Sequence, residues 1–123
     1  RTAEGLKEGL EKIKAIRKEF DTNLFIPGDK EGLNVELDKA IHLRDFITMG
    51  ELIAYDALSR NESCGGHFRE EYQTEEGEAK RDDEHYFYVG CWEYQGSDEK
   101  APELLKEPLE YEAIKVQTRN YKN

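Results

Sequence analysis

The side chains best able to do chemistry lie together in one short run, Glu62-Ser63-Cys64-Gly65-Gly66-His67-Phe68-Arg69. A thiol, an imidazole and a guanidinium flank two adjacent glycines, and paired glycines allow a sharp turn with close backbone approach. A second charged set, Arg81-Asp82-Asp83, follows further along the chain. These two sets are therefore the candidate functional residues.

Three interpretations of the glycine run stay open from the residue types alone. In the first, the run ends a helix, with His67 and Arg69 bonded to terminal carbonyls or to the acidic segment that follows. In the second, Cys64 and His67 bind zinc with His85 and Cys91, although six positions along a straight strand separate the last two by about 20 Å. In the third, Cys64 is a nucleophile activated by His67.

The overall charge and composition exclude several functions. The 123 residues carry 18 Lys and Arg against 28 Asp and Glu, a net charge of −10. Nucleic-acid phosphates and anionic membrane surfaces would be repelled, and no apolar run approaches the roughly 20 residues that span a bilayer. We therefore expect a soluble chain with no nucleic-acid partner and no direct membrane insertion. Two cysteines are too few for a disulfide scaffold and favour a reducing compartment.

Two amphipathic helices precede the glycine run. Apolar residues spaced by three and four predict helices over residues 3–20 and 32–60. The second helix is apolar on two sides. Its thinner, second stripe consists of Val35, Phe46, Met49, Ile53 and Ala57. The first helix can cover only one side, so we expect a further neighbour.

The remainder of the chain is predicted to be an acidic loop followed by a β-ribbon. Alternating apolar residues predict strands over His85–Tyr94 and Leu109–Thr118, joined by an irregular connection over Gln95–Pro108. Such an isolated pair of strands is marginal unless it packs on something. The length favours a single domain. Its parts are a helical bundle segment (1–62), a motif turn with an acidic loop (63–84), and the β-ribbon with a C-terminal tail (85–123).

At the glycine run the chain resembles the C-terminal domain of the flavoprotein subunit of succinate dehydrogenase and fumarate reductase, a family that includes L-aspartate oxidase. In that family a long helix ends in E-S-R-G-A-H-x-R, followed by R-D-D and a β segment. The matching residues here are Glu62, Ser63, Gly65, His67, Arg69, Arg81, Asp82 and Asp83. Cys64 replaces the usual arginine, Gly66 replaces alanine or leucine, and the link Glu70–Lys80 is longer, which indicates a divergent branch.

The resemblance implies a mainly α fold: antiparallel long helices of a three-helix, spectrin-repeat-like bundle with a small C-terminal β appendage. It implies a parent enzyme that interconverts succinate and fumarate on FAD and passes electrons to an iron–sulfur subunit and a membrane anchor. Such a complex is cytoplasmic and peripheral on the inner face of the membrane. The FAD-binding and capping domains of the same polypeptide would precede Arg1, and the chain, whose one methionine is Met49, is expected to be a fragment.

The same resemblance implies no catalytic, cofactor-binding or metal-binding residue within this chain. Its motif residues are instead expected to fix the turn and dock this domain on the flavin domain. They are Ser63, Gly65, Gly66, His67, Arg69, Arg81, Asp82 and Asp83. The alternatives are a small Cys/His zinc module and a stand-alone adaptor that uses the second stripe of its long helix.

Overall fold

A computed structural model of the chain describes residues 1–117. The elements in chain order are α1 (Ala3–Asn23), α2 (Val35–Ser59), α3 (Asp83–Tyr86), β1 (Tyr88–Glu93) and β2 (Glu103–Pro108). This order confirms a mainly α fold with a small β appendage. The long helices within residues 1–117 are α1 and α2, so the third helix of the bundle stays a prediction.

The chain divides into two compact units, Arg1–Arg60 and Asn61–Asn123. The first contains the two long helices, and the second contains the glycine run, the short helix and the β-ribbon. No helix within residues 1–117 combines the length and the apolar run needed to cross a bilayer.

Side-chain caps define where the two long helices begin. The Thr2 hydroxyl accepts a hydrogen bond from the Gly5 amide at 3.1 Å, which satisfies one of the free donors in the first turn of α1. Asn34 caps α2 by accepting from the amides of Glu36 and Leu37 at 3.0 and 3.1 Å. Both helices therefore lie where the apolar spacing predicts, and α1 continues to Asn23.

The two long helices pack antiparallel through a small apolar core. Leu10 and Ile47 are buried in it. Arg17 forms an ion pair with Glu51, and both side chains are largely buried. Lys14, one turn earlier on α1, interacts electrostatically with Tyr55, one turn later on α2, which is the order that antiparallel helices require. Burial of the Arg17–Glu51 pair makes it part of the core.

The second stripe of α2 is largely uncovered. Val35, Phe46, Met49 and Ile53 are exposed, whereas Ala57 is buried. A helix with apolar residues on more than one side needs more than one neighbour. The exposed members of the stripe therefore mark a surface on which α1 does not pack.

The second strand is not where the alternating pattern placed it. The prediction of a strand over Leu109–Thr118 is wrong, since β2 is Glu103–Pro108 and residues 109–117 form no regular element. Thr118 lies outside the described residues. The ladder pairs Trp92 with Leu104 and Cys91 with Leu105 in antiparallel register. Pro108 is tolerated because it ends an edge strand, where its missing amide costs no ladder bond.

The β-ribbon is continued by contacts that keep the next residues close to it. The Leu109 amide donates to the Phe87 carbonyl at 3.1 Å, and the rings of Phe87 and Tyr111 meet edge to face with centroids 5.7 Å apart. Tyr111 thus packs on Phe87, whereas Ile114 and Val116 are exposed.

Loss of the core ion pair should destabilise the helical unit. We expect Glu51→Ala to lower the free energy of unfolding by about 2–3 kcal/mol, because the largely buried Arg17 would lose its ion pair with Glu51. Glu36→Ala is the matched control, since it removes the exposed pair with Lys39 and should cost under about 0.5 kcal/mol. Urea denaturation followed by circular dichroism measures both. Equal losses in the two variants would contradict the proposed role of the buried pair.

Candidate functional site

The glycine run forms a tight two-residue hairpin turn. The Cys64 amide donates to the His67 carbonyl at 2.8 Å, and the His67 amide donates to the Cys64 carbonyl at 3.0 Å. Gly65 has φ +57°, in the left-handed region, while Gly66 has no positive φ. A turn with a positive φ at its first central position favours glycine there and accepts other residues at the second.

Part of the first interpretation of the glycine run is confirmed and part is wrong. The glycines do not end the helix, because α2 ends at Ser59 with Arg60 as its C-cap. Arg69 does bond to the acidic segment, through Glu71. The Arg60 amide donates to the Asp56 carbonyl and closes the last turn of that helix. The glycines close a hairpin instead.

Ser63 is the most deeply buried residue of the site, with 0% of its surface exposed. Its hydroxyl accepts from the Arg69 amide at 2.9 Å and donates to the Arg69 carbonyl at 3.1 Å. Its own amide donates to the Lys80 carbonyl at 2.8 Å. The Ser63 side chain therefore joins the two ends of the hairpin, and the Ser63 amide joins them to a third segment at Lys80.

The guanidinium of Arg69 is also buried, with 2% of the residue exposed. Its Nε donates to Glu71 Oε2 at 3.1 Å and its Nη2 to Glu71 Oε1 at 3.4 Å. The guanidinium carbon lies 5.4 Å from the centre of the Tyr72 ring, within cation–π range. A buried charge is stable only when it is paired and hydrogen-bonded, and Glu71 supplies both interactions.

The acidic segment after the motif is a hairpin of its own. The Thr74 amide donates to the Glu78 carbonyl at 2.8 Å, and the Lys80 amide donates to the Tyr72 carbonyl at 3.2 Å. Gly77 adopts φ +78° at the tip, as a three-residue hairpin loop commonly requires. The hairpin returns the end of the segment to the buried serine.

The Glu62 carboxylate joins the two motifs. Its Oε2 accepts from the Asp82 amide at 2.9 Å, and Glu62 is buried. Arg81 donates to Asp83 Oδ1 from Nε at 3.0 Å and from Nη2 at 2.6 Å. The hydrogen bond to Asp83 raises the pKa of Arg81, and nearby Cys64 and Glu62 add to this effect. The structure therefore brings the second motif beside the first.

Arg81 also fixes the end of the described chain. Its Nη1 donates to the Gln117 carbonyl at 3.1 Å, across 36 positions of sequence. A bifunctional guanidinium can hold a carboxylate and a carbonyl at once because its five donors form a rigid fork. This contact gives the arginine of the second motif a structural role.

Asp82 begins the short helix α3 and holds His85. Its Oδ1 accepts from the His85 amide at 3.3 Å, and both carboxylate oxygens lie 3.0 Å from His85 Nδ1. The hydrogen bond from Asp82 raises the pKa of His85, and the same contact lowers the pKa of Asp82. Both groups are exposed, so this pair contributes at the surface.

The zinc interpretation is not supported by the described geometry. Residues 1–117 contain no group of three or more His, Cys, Asp or Glu side chains arranged to hold a metal ion. Cys64 and Cys91 are both exposed free thiols. The two hydrogen bonds described between Cys64 and His67 are made by backbone atoms, which is turn geometry instead of the contact of a thiol with a base.

Sequence reasoning missed several residues that hold the motif in place. Glu62 belongs to the motif, and its buried carboxylate has a structural role because it accepts a hydrogen bond from the Asp82 amide. Glu71 and Tyr72 enclose Arg69, and Lys80 provides the carbonyl that accepts from Ser63. The opposite charge two positions after Arg69 is a signal for the first of these contacts. The carbonyl of Lys80 leaves no signal in the sequence.

These contacts define the class of domain: an antiparallel helix pair followed along the chain by a hydrogen-bonded unit that contains two hairpins. The family comparison is specific. Residues 1–121 match the model of the fumarate reductase flavoprotein C-terminal domain, and the chain belongs to this family. The family resemblance found in the motifs is thereby confirmed.

One curated relative is similar over part of the chain. It is an uncharacterized FAD-dependent oxidoreductase from Methanocaldococcus jannaschii, 34% identical over 72 residues. The match covers 58% of this chain and 12% of the relative. The chain therefore spans only a small part of the length of that protein.

The described residues do not form the glycine-rich loop that binds dinucleotides. Dinucleotide cofactors bind where a parallel strand turns through a glycine-rich loop into a helix. Within residues 1–117 the strands are β1 and β2, which pair antiparallel, and the paired glycines close a hairpin.

The two glycines of the turn should differ in their tolerance of a side chain. We expect Gly65→Ala to lower the free energy of unfolding by about 1–2 kcal/mol, because its φ of +57° is costly for an L-residue. Gly66→Ala should change stability by less than about 0.5 kcal/mol, since a Cβ there meets no atom within 4 Å. Thermal denaturation compares the two variants. A larger loss for Gly66→Ala would contradict the turn assignment.

Titration of His85 should depend on Asp82. Because the pKa of His85 is raised, its stabilising contribution is complete below the ordinary value near 6.5 and is lost as the pH rises through the raised value. Because the pKa of Asp82 is lowered, its contribution holds above its ordinary value near 3.9 and is lost as the pH falls through the lowered value.

The Asp82→Asn variant isolates this charge effect, since asparagine remains a good N-cap. We expect it to move the imidazole pKa of His85 back toward about 6.5 in an NMR titration. Asp83→Asn is the control, because Asp83 bonds to Arg81 and should leave the His85 titration unchanged. Identical titrations in Asp82→Asn and the unsubstituted protein would disprove the pairing.

Proposed function

We propose that this chain is the C-terminal structural domain of an FAD-dependent oxidoreductase that interconverts succinate and fumarate. The observation that carries the proposal is the inward use of the motif. Ser63 and Arg69 are buried, and their side chains bond to residues of the same unit. Side chains that are buried and bonded within their own unit stabilise the fold and are not positioned to contact a substrate. The family description and the name of the relative support the flavoprotein assignment.

The proposed cofactor and partners follow from the same assignment. FAD would be held by the FAD-binding and capping domains of the same polypeptide, and this chain would contribute no ligand to it. Electrons would pass from the flavin to an iron–sulfur subunit and a membrane anchor. The enzyme would be cytoplasmic and peripheral on the inner face of the membrane. The domain itself, with a net charge of −10, would not insert.

The motif would act in docking mainly by holding the turn in shape. Cys64, Gly65 and Gly66 are exposed at its tip, while Ser63 and Arg69 lie beneath. The proposed contact with the flavin domain would therefore use the exposed backbone of the turn, and the buried residues would fix its geometry. This division explains why the motif combines small exposed residues with buried polar ones.

The full-length polypeptide tests the assignment directly. After purification it should contain FAD, detected by the visible absorbance of the flavin. With succinate as the electron donor, it should reduce a dye. The isolated residues 1–123 should do neither. Absence of flavin from the full-length protein would contradict the assignment and would favour the stand-alone adaptor.

Arg69→Ala should affect stability and not substrate affinity. In the flavin-loaded enzyme we expect the free energy of unfolding to fall by about 2–3 kcal/mol, because the buried ion pair of Arg69 with Glu71 would be lost and a cavity would form. The Michaelis constant for succinate should be unchanged. Lys80→Ala is the control, since it removes an exposed side chain and keeps the backbone carbonyl that accepts from the Ser63 amide. An unchanged melting temperature with a raised Michaelis constant would count against an architectural role.

A further inference from the structure

The β-ribbon of the second unit has one face whose residues are all exposed, and we call it the outer face. We propose that the outer face binds a basic, partly apolar surface of a separate subunit. The inference rests on the proposed function in one respect, because that function supplies a complex with further subunits. It assigns a surface and a charge to that contact, which the proposed function does not.

The register of the ladder divides the ribbon into two faces, because residues opposite each other point to the same side. The inner face contains the buried Tyr88, whose ring centre lies 4.6 Å from Lys106 Nζ and 6.2 Å from that of Tyr86. Every residue of the outer face is exposed. These residues are Val89, Cys91, Glu93, Glu103, Leu105 and Glu107. Within residues 1–117 the inner face is therefore packed and the outer face is not.

The middle of the outer face is apolar. Val89 is 51% exposed and Leu105 is 45% exposed, and Cys91 lies directly opposite Leu105. Cross-strand neighbours lie about 5 Å apart, so these side chains form one continuous patch. A pair of strands is marginal in water unless it packs on something. The outer face therefore offers apolar area that a protein partner would bury.

The rest of the outer face carries carboxylates and no cation. Glu93 lies directly opposite Glu103, and Glu107 lies opposite Val89. Among the ion pairs of residues 1–117, none involves these three carboxylates, and the contact that Glu93 Oε2 accepts from Gln95 Nε2 at 3.3 Å is neutral. Like charges directly opposite each other on a sheet are destabilising. A lysine or arginine over the Glu93–Glu103 pair would remove this repulsion, so the face favours a basic partner.

The charge also decides between possible occupants. Residues 61–123 carry 16 acidic and 8 basic side chains, which accounts for most of the net charge of −10. A second copy would therefore be repelled. Permanent contacts are depleted of charge at their centre, whereas charges beside a small apolar patch steer the encounter of separately folded chains. The outer face is therefore assigned to a separate subunit.

Cys91 reports whether the outer face is covered in the intact complex. It is an exposed free thiol in this chain, so its alkylation measures shielding by a partner. In the complex purified at low salt, iodoacetamide should modify Cys91 roughly tenfold more slowly than at high salt, because a covered thiol is inaccessible. Charges are screened beyond about 3 Å at about 1 M salt, which should release the partner. Mass spectrometry of the peptides distinguishes Cys91 from Cys64.

Charge reversal at Glu103 separates partner binding from folding. Glu103→Lys replaces the repulsion from Glu93 by attraction, so the ribbon should be at least as stable as in the unsubstituted protein. The same substitution places a cation against a basic partner. We therefore expect Glu103→Lys to raise the rate of Cys91 alkylation at low salt to near the high-salt rate. Glu75→Lys makes the same charge change at an exposed position of the acidic hairpin and should leave the rate unchanged.

A carbodiimide cross-link identifies the occupant. The reagent joins a carboxylate to a lysine amine through an amide bond and takes up the water that is lost, so it links groups in direct contact. At low salt we expect Glu103 or Glu107 to be linked to a lysine of another subunit. Where no cross-link forms, the salt dependence of Cys91 alkylation decides the question.

Three outcomes would overturn the inference. The first is alkylation of Cys91 at the same rate at low and at high salt. The second is an equal effect of Glu103→Lys and Glu75→Lys. The third is a cross-link from the outer face to a lysine of the same polypeptide or of a second copy.

The failure of the proposed function has a different signature. A full-length protein without FAD would contradict the oxidoreductase assignment. Salt-dependent shielding of Cys91 with a cross-link to another chain would still establish the outer face as a docking surface. The flavin content and the alkylation rate are therefore read separately.

Discussion

The second unit depends on one buried hydroxyl. Ser63 Oγ accepts from the amide of Arg69 and donates to its carbonyl, so a single side chain satisfies both polar groups of the opposite backbone. Buried backbone groups left without partners would each cost about 1–3 kcal/mol. The serine therefore closes the hairpin at its base, and the positive φ of Gly65 closes it at its tip. The carbonyl of Lys80 then attaches the acidic hairpin to the same point.

The departures from the family motif are consistent with this geometry. The backbone requires glycine at Gly65, whereas Gly66 has no positive φ and open space around its Cα. The alanine or leucine that the family carries at the second position would therefore fit the same turn. Cys64 takes part in the turn through its amide and carbonyl, so the usual arginine is not needed to close it. The longer acidic link forms a hairpin and leaves the motif ends adjacent.

Much of the fold could be predicted because periodicity reports burial. The spacing of Leu10 and Ile13, and of Ile47 with its neighbours, located both long helices, and the caps at Thr2 and Asn34 account for their first turns. The second strand could not be located in this way. Residues after Pro108 alternate as a strand does, but after the Leu109–Phe87 hydrogen bond they form no further regular element, and Ile114 is exposed. Alternation of residue types therefore did not identify the segment that pairs.

The site was predictable in its residues but not in its bonds. The motif pointed to Ser63, Gly65 and Arg69, yet the bond from the Ser63 amide to the Lys80 carbonyl and the bond from Asp82 to Glu62 depend on how the loops return. Long-range backbone contacts carry no residue preference that a single sequence can reveal. A hairpin turn and a helix C-terminus both favour a glycine with a positive φ, so the residue types alone did not show which of the two the glycines form.

Hydrogen exchange at the Arg69 amide tests most directly whether the hydrogen bonds of Ser63 stabilise the second unit. The amide should be among the best protected in residues 61–117, because it donates to a serine that is itself buried. In Ser63→Ala its exchange should accelerate by roughly ten- to a hundredfold, equivalent to about 1–3 kcal/mol. An amide that exchanges freely in the unsubstituted protein, or at the same protected rate in Ser63→Ala, would contradict the account.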